Sequence, residues 1–101
     1  MIDEMVIDGI TYKWDADQDS EHLDFTLYTD LGEIWVAVEI GYFDRYHNNE
    51  WHKEKRKHPL PLFRVEKIIV ALVEGGYLVK YFENEDMGLW FDENDQIRED
   101  N

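Results

Sequence analysis

The chain has 101 residues, a formal net charge of -14 at pH 7 and no cysteine. This length favours a single acidic domain over 1–101, because two separate cores would each be too small to fold without disulfides or metals. The composition excludes structural disulfides, thiolate zinc sites and cysteine nucleophiles, and the negative charge argues against nucleic acid or anionic membrane as a direct partner.

Hydrophobic residues make up 44% of the chain and aromatic residues 15%, which predicts a folded domain and not a disordered acidic tail. The longest uninterrupted apolar run, 68–73, is far shorter than the roughly 20 residues that a membrane-spanning helix needs. The first residues carry acid where a secretory signal would carry lysine or arginine. We therefore expect a cytoplasmic protein.

The first predicted element is a hairpin over 5–14. Apolar residues flank Asp8-Gly9, a dipeptide that tolerates the positive φ angles of a two-residue type I′ turn. The following stretch, 15–21, holds four carboxylates and no large apolar side chain. It predicts a solvated connection.

Alternation of apolar and polar residues returns over 22–28 and 34–40 and predicts two more strands joined by a short turn. In the first of these, Asp24 and Tyr28 share the face opposite the apolar residues. In the second, Trp35 also points away from the apolar face. We expect this strand to be central, or its outer face to contact another group.

The second half predicts a long connection over 41–59, a helix over 61–74, strands over 77–82 and 89–91, and a frayed tail over 92–101. Neighbouring strands are expected to pair, since most connections between them are short. The order ββββ-α-ββ predicts an α+β domain, with an antiparallel sheet of five to six strands and one helix packed on one face.

Charge is segregated along the chain. The first 50 residues carry a net charge of -11, the next 32 carry +4 and the last 19 carry -7. Duplex DNA carries one charge per ~1.7 Å of axis, so the net charge of this protein equals that on about 24 Å of duplex. We expect 15–24 and 83–95 to share one side of the fold, away from 51–58. Acidity that serves only solubility is the competing interpretation.

Metal-binding patterns are incomplete in this sequence. Asp15, Asp17 and Asp19 have the spacing of the first half of a calcium loop, but Ser20 and Thr26 replace its glycine and its final glutamate. The three histidines of the long connection fit no zinc spacing. We expect no metal and no cofactor.

Catalytic motifs are equally sparse. Ser20 is the only serine and lacks a glycine-flanked elbow, and no glycine-rich phosphate loop precedes the predicted helix. Paired carboxylates carry little information in a chain with 24 acids. We expect a protein that is not an enzyme.

The leading hypothesis is a small acidic protein-binding module that docks on a basic, nucleic-acid-handling protein and inhibits it, because interfaces are enriched in aromatic residues and acids attract a basic surface. DNA-mimic inhibitors of phage and acidic immunity proteins work on this principle, by analogy only. A structural or regulatory homo-oligomer, such as a homodimer, and a metal-binding domain are the alternatives. The predicted partner-binding residues are Asp15, Asp17, Asp19, Glu21, Asp24, Tyr28, Trp35, Glu83, Glu85 and Asp86, and the basic contact segment is Lys53, Lys55, Arg56 and Lys57.

Overall fold

The computed structural model describes residues 2–18, 22–39, 60, 62–84, 86–92 and 94–100. They form a small α+β domain in which two helices cover one face of a six-stranded mixed sheet. The predicted long connection over 41–59, with the basic contact segment, lies outside the described residues.

The chain begins with the hairpin that the Asp8-Gly9 dipeptide predicts. β1 (Asp3–Ile7) pairs antiparallel with β2 (Ile10–Gln18), and Ile7 pairs with Ile10 directly across the turn. The two turn residues have φ angles of 50° and 79°, the positive values that a type I′ turn requires. The predicted hairpin is confirmed.

β2 is longer than predicted. Its last four residues belong to the stretch expected to be a solvated connection, yet they pair with β3 (His22–Thr29). Ala16 is buried here, whereas Asp15 and Asp17 point to the other face of the sheet. A single small apolar residue is enough to continue the strand, because the acids alternate with it toward solvent.

β3 pairs antiparallel with β4 (Gly32–Glu39), which confirms the next two predicted strands within the described residues. The Thr29 hydroxyl closes the turn between them. It donates to the carbonyl of Gly32 at 2.9 Å and accepts the N–H of Leu31 at 3.2 Å. The Thr29 side chain therefore supplies hydrogen-bond partners for backbone groups of the turn.

Helix α1 (Leu62–Glu74) confirms the helix predicted over 61–74. The chain leaves α1 through Gly76, whose φ of 74° is a left-handed value that glycine adopts without steric cost. The N–H of Gly76 is bonded to the carbonyl of Val73 at 3.1 Å, which closes the end of the helix.

A second helix, α2 (Tyr77–Glu83), follows immediately. The predicted strand over 77–82 is therefore wrong, and so is the prediction of a single helix. The apolar residues at 77, 78, 81 and 82 pack against the core, and this spacing of one and four suits a helix and not a strand.

The sheet has the order β1-β2-β3-β4-β5-β6, with β5 at Gly88–Phe91 and β6 at Ile97–Asp100. β5 runs parallel to β4, with Ala37 paired to Trp90, so the prediction of a wholly antiparallel sheet is wrong. The connection from β4 to β5 is a crossover that contains both helices. A connection of this kind brings the chain back to the same end of the sheet, which makes the next strand parallel.

The tail is also more ordered than the predicted fraying over 92–101. β6 pairs antiparallel with β5. In the turn between them, the Asp92 carboxylate accepts the N–H groups of Asn94 at 2.9 Å and Gln96 at 3.1 Å. The sheet has six strands, the upper limit of the predicted range. Its sixth strand is β6, in place of the strand predicted over 77–82.

The core lies between the sheet and α1. Every second residue of the strands points toward the helices, and α1 contributes its buried stripe in return. The fully buried side chains of this layer include Trp14, Leu23, Phe25, Leu27, Ile34, Val36, Val38, Val65, Ile68, Ile69, Leu72 and Phe91. One face of the sheet is thereby used for folding, and neither helix covers the other face.

Within the part of the chain that the structure describes, no helix combines the length and the hydrophobicity needed to cross a bilayer.

Candidate protein-binding surface

The face of the sheet opposite the helices is called the outer face. Directly paired residues of neighbouring strands point to the same side, so the strand register defines its membership. One cross-strand row consists of Glu4, Lys13, Tyr28 and Glu33, a second of Asp15, Thr26 and Trp35, and a third of Asp17, Asp24, Ala37, Trp90 and Arg98.

Five predicted partner-binding residues lie together on the outer face: Asp15, Asp17, Asp24, Tyr28 and Trp35. We call these five the outer patch. They come from three adjacent strands, β2, β3 and β4. Because neighbouring strands are about 4.8 Å apart, the five side chains form one continuous surface.

The other predicted residues that the structure describes, Glu83 and Asp86, lie outside the strands of the outer patch. Glu83 ends α2 in the helix layer, and Asp86 lies in the turn that precedes β5. Extended back from the Ala37–Trp90 pair, the parallel register brings Gly88 beside Trp35. Asp86 therefore precedes β5 at the Trp35 end of the outer patch, away from the Asp17–Asp24 pair. Asp19, Glu21, Glu85 and the basic contact segment of Lys53, Lys55, Arg56 and Lys57 lie outside the described residues.

The two helices and the outer face of the sheet differ in net charge. Each helix carries equal numbers of acidic and basic residues, Arg64 and Lys67 against Glu66 and Glu74 in α1, and Lys80 against Glu83 in α2. The described side chains of the outer face include six carboxylates, on Glu4, Asp15, Asp17, Asp24, Glu33 and Asp100, and two bases, on Lys13 and Arg98. These outer-face groups sum to a net charge of -4, whereas the charges of the two helices cancel. The other described carboxylates lie in turns or on the helix side of the strands, at Asp3, Asp8, Asp30, Asp86, Asp92, Asp95 and Glu99.

Tyr28 reports the electrostatic environment of this face. Partial burial of the ring raises the pKa of its phenol above 10.0, and the carboxylates of Asp15, Glu33 and Asp17 raise it further. Each of these groups disfavours the phenolate, because a second negative charge would be placed among existing ones. Tyr28 is consequently a neutral hydrogen-bonding group within a negative field at physiological pH.

Trp35 is the most prominent apolar group of the outer patch. Its side chain is 63% exposed, and it lies across from Thr26 in the central row. Trp90, on the neighbouring strand β5, is half-buried on the same face. A large, rigid aromatic side chain in a mainly polar surface is typical of the anchor residues of protein interfaces.

Sequence reasoning missed two members of this surface. Glu33 faces Tyr28 across the β3–β4 pair, and Trp90 continues the row of Asp24. Glu33 could have been found, since it is two residues before Trp35 and shares its side in any strand. Trp90 could not, because its side depends on the parallel pairing of β4 with β5.

Metal binding gains no support from this surface. Asp15 and Asp17, which begin the calcium-loop pattern, lie on a strand instead of a loop. Among the described residues, no group of three or more His, Asp or Glu side chains is arranged to hold an ion. The histidines of the long connection fall outside those residues.

Comparisons with protein-family models, with curated proteins and with solved structures gave no significant match to this chain.

Proposed function

We propose that this protein is an acidic binding module that docks the outer patch onto a basic, nucleic-acid-handling protein and inhibits it. The observation that carries the proposal is the composition of the outer face, where an exposed Trp35 lies among carboxylates while the helix layer is charge-balanced. Solubility alone does not require a large, exposed aromatic side chain among those carboxylates.

Charge and aromatic groups have separate tasks in this proposal. The carboxylates of Asp15, Asp17 and Asp24 attract a basic surface and orient its approach, which mainly increases the association rate. Trp35 provides apolar area that loses its water on docking and mainly slows dissociation. A basic site that evolved to hold phosphates is a suitable partner, because it presents the opposite charge at high density.

The proposed location is the cytoplasm, a reducing compartment that suits a chain without cysteine.

The proposal is tested by affinity capture from host lysate, followed by binding measurements on the purified captured protein. Replacing Trp35 by alanine should weaken binding about 30-fold, since truncating an anchor residue costs about 2 kcal/mol or more. Asp24→Asn should weaken binding less and reduce its dependence on salt. The bound partner should also lose affinity for nucleic acid.

Two matched variants in the helix layer serve as controls. Val79→Ala removes a side chain that is 57% exposed, and Glu66→Gln removes one carboxylate from α1, both away from the outer face. Neither should change affinity by more than about twofold, as expected for surface positions outside an interface. A partner whose binding responds to these controls but not to Trp35→Ala contradicts the proposal, as does binding that is independent of salt.

A further inference from the structure

The two edges of the sheet differ in how they are protected. β6 is an edge strand of four residues, three of them charged, and such short, charged edges resist pairing with other chains. β1, at the other edge, has five residues and ends in the apolar run Met5 to Ile7. Among the described residues, β2 is the only strand that pairs with β1. This edge is independent of the outer patch.

The hairpin geometry identifies which backbone groups of β1 face away from β2. In a hairpin with a two-residue turn, the residues that flank the turn exchange both hydrogen bonds, and bonded and non-bonded pairs then alternate. Ile7 and Ile10 are the flanking pair here. Val6 and Glu4 therefore direct their N–H and C=O groups away from β2, two residues apart, as a further strand requires.

An apolar cleft lies beside this edge, on the helix side of the sheet. Its volume is about 170 Å³, and side chains from the hairpin and the second half of α1 line it. Ile7, Ile10 and Val73 supply apolar walls, of which Ile10 is 55% exposed and Val73 is 40% exposed. Two carboxylates, on Asp8 and Glu74, also line the cleft.

We propose that β1 and this cleft bind an extended segment of a partner protein, in which apolar residues alternate with lysine or arginine. The segment adds as a seventh strand through the outward groups of Glu4 and Val6. Its apolar side chains lie over the cleft beside Val73, and its basic side chains point to the other side of the sheet, where Glu4 lies. Main-chain hydrogen bonds supply affinity in such strand addition, and alternate side-chain sites supply specificity.

Charge complementarity selects this occupant over a second copy of the chain. Antiparallel pairing of two β1 strands would bring the carboxylates of Asp3, Glu4 and Asp8 from both copies to one seam, and β1 and its turn contain no base. Like charges in such proximity oppose association. A basic segment meets the same carboxylates with attraction.

The probe for this site is a capped hexapeptide in which lysine alternates with valine, titrated into the full chain at fixed salt and followed by fluorescence polarisation and amide NMR shifts. We expect saturable binding with shifts at Glu4 and Val6. A fully N-methylated peptide of the same sequence keeps the charge but has no backbone donors, so it should bind at least tenfold more weakly.

Two pairs of variants locate the bound peptide. Val6→Pro removes one outward N–H without removing a β1–β2 hydrogen bond and should weaken binding at least tenfold, whereas Val6→Thr keeps the N–H and should bind within twofold of the wild type. Val73→Lys should weaken binding by adding a cation to the cleft, and Val73→Glu should not. The second pair lies on an exposed helix position and does not depend on whether the proline variant folds.

Each outcome supports or overturns the proposal. Binding that survives both Val6→Pro and Val73→Lys overturns it. Binding that is lost in Asp24→Asn while unaffected at Val6 assigns the peptide to the outer face and also overturns it. Concentration-dependent dimerisation that Val6→Pro abolishes would identify a second copy as the occupant and would overturn the proposal as well. None of these results depends on whether Trp35 anchors a basic partner.

Discussion

Arg64 is the one basic residue among the buried side chains that the structure describes. Its guanidinium lies over the ring of Phe91, 4.7 Å from the centroid, and forms an ion pair with Asp95. Asp95 is in turn bonded to the ammonium group of Lys67 at 3.0 Å. Because a buried charge is costly without a partner, this pair attaches the β5–β6 turn to α1.

The first prediction concerns this ion pair. Asp95→Asn should lower the free energy of unfolding by about 3 kcal/mol, the lower end of the range for breaking a buried pair, since Asp95 is partly exposed. Asparagine tolerates the positive φ of 62° at this position, so the backbone of the turn is kept. Urea unfolding measures the loss.

The double variant Arg64→Met with Asp95→Asn is the control for this prediction. It removes both charges and should recover at least half of the loss, because no buried guanidinium is then left without its partner. A double variant no more stable than Asp95→Asn would mean that the guanidinium acts through packing against Phe91 and not through its charge.

At the scale of elements, helix α2 is joined to the edge strand β6 by three side chains. The ammonium group of Lys80 is 3.3 Å from the Glu99 carboxylate and 5.1 Å from the centroid of the Tyr77 ring. Burial raises the pKa of the Tyr77 phenol above 10.0, and the Glu99 charge and a hydrogen bond to that carboxylate raise it further, while Lys80 lowers it. The folded state therefore favours the neutral phenol.

This environment predicts a loss of stability at high pH. A raised folded-state pKa stabilises the protein fully below the unfolded value of about 10, and the contribution is lost as the pH rises through the folded pKa. Between pH 9 and 11, the stability advantage of wild type over Tyr77→Phe should shrink, by at most about 1.4 kcal/mol per pH unit. Urea unfolding at each pH measures the gap, and a constant gap would contradict the prediction.

The same elements show which parts of the fold could be predicted from sequence. Local rules sufficed for the hairpin at Asp8-Gly9, for the alternation of β3 and β4, and for α1. They failed at 77–83, where aromatic and β-branched residues locally favour a strand. In the helix, two neighbouring apolar residues of each turn pack against the core, and this packing outweighs the local preference. β6 has a single apolar residue, Ile97, and becomes a strand only because β5 offers it an edge.

The outer patch was predictable to a similar degree. Strand alternation correctly assigned Asp24, Tyr28 and Trp35 to faces away from the core. It could not bring Asp15 and Asp17 beside them, since a run of acids is typical of a loop. Glu83 lies apart from them because the segment over 77–82 is a helix and not a strand, and Glu83 is the last residue of that helix in the other layer.

At the scale of the whole molecule, the outer face keeps an arrangement that does not favour folding. Asp17 and Asp24 are directly paired across β2 and β3, and Asp15 is on the same face. Like charges in directly opposite positions destabilise a sheet. A face selected only for stability would alternate its charges, as the Glu4–Lys13 pair does on the same face.

This contrast gives a prediction that separates binding from stability. Asp17→Asn should raise the free energy of unfolding by about 0.2–1 kcal/mol at low salt, because it removes the repulsion from Asp24. The gain should disappear near 1 M salt, where the Debye length falls to about 3 Å. Glu4→Gln makes the same change of charge opposite Lys13 and should not stabilise the protein.

The decisive comparison measures both properties on the same variant. If the outer patch binds a basic partner, Asp17→Asn should gain stability while losing affinity, because a binding surface commonly retains groups that are unfavourable for folding. Urea unfolding and titration with the captured partner give the two values. A variant that gains stability and binds as well as the wild type would show that this carboxylate serves neither folding nor docking. Solubility would then be the better explanation for the acidity of the outer face.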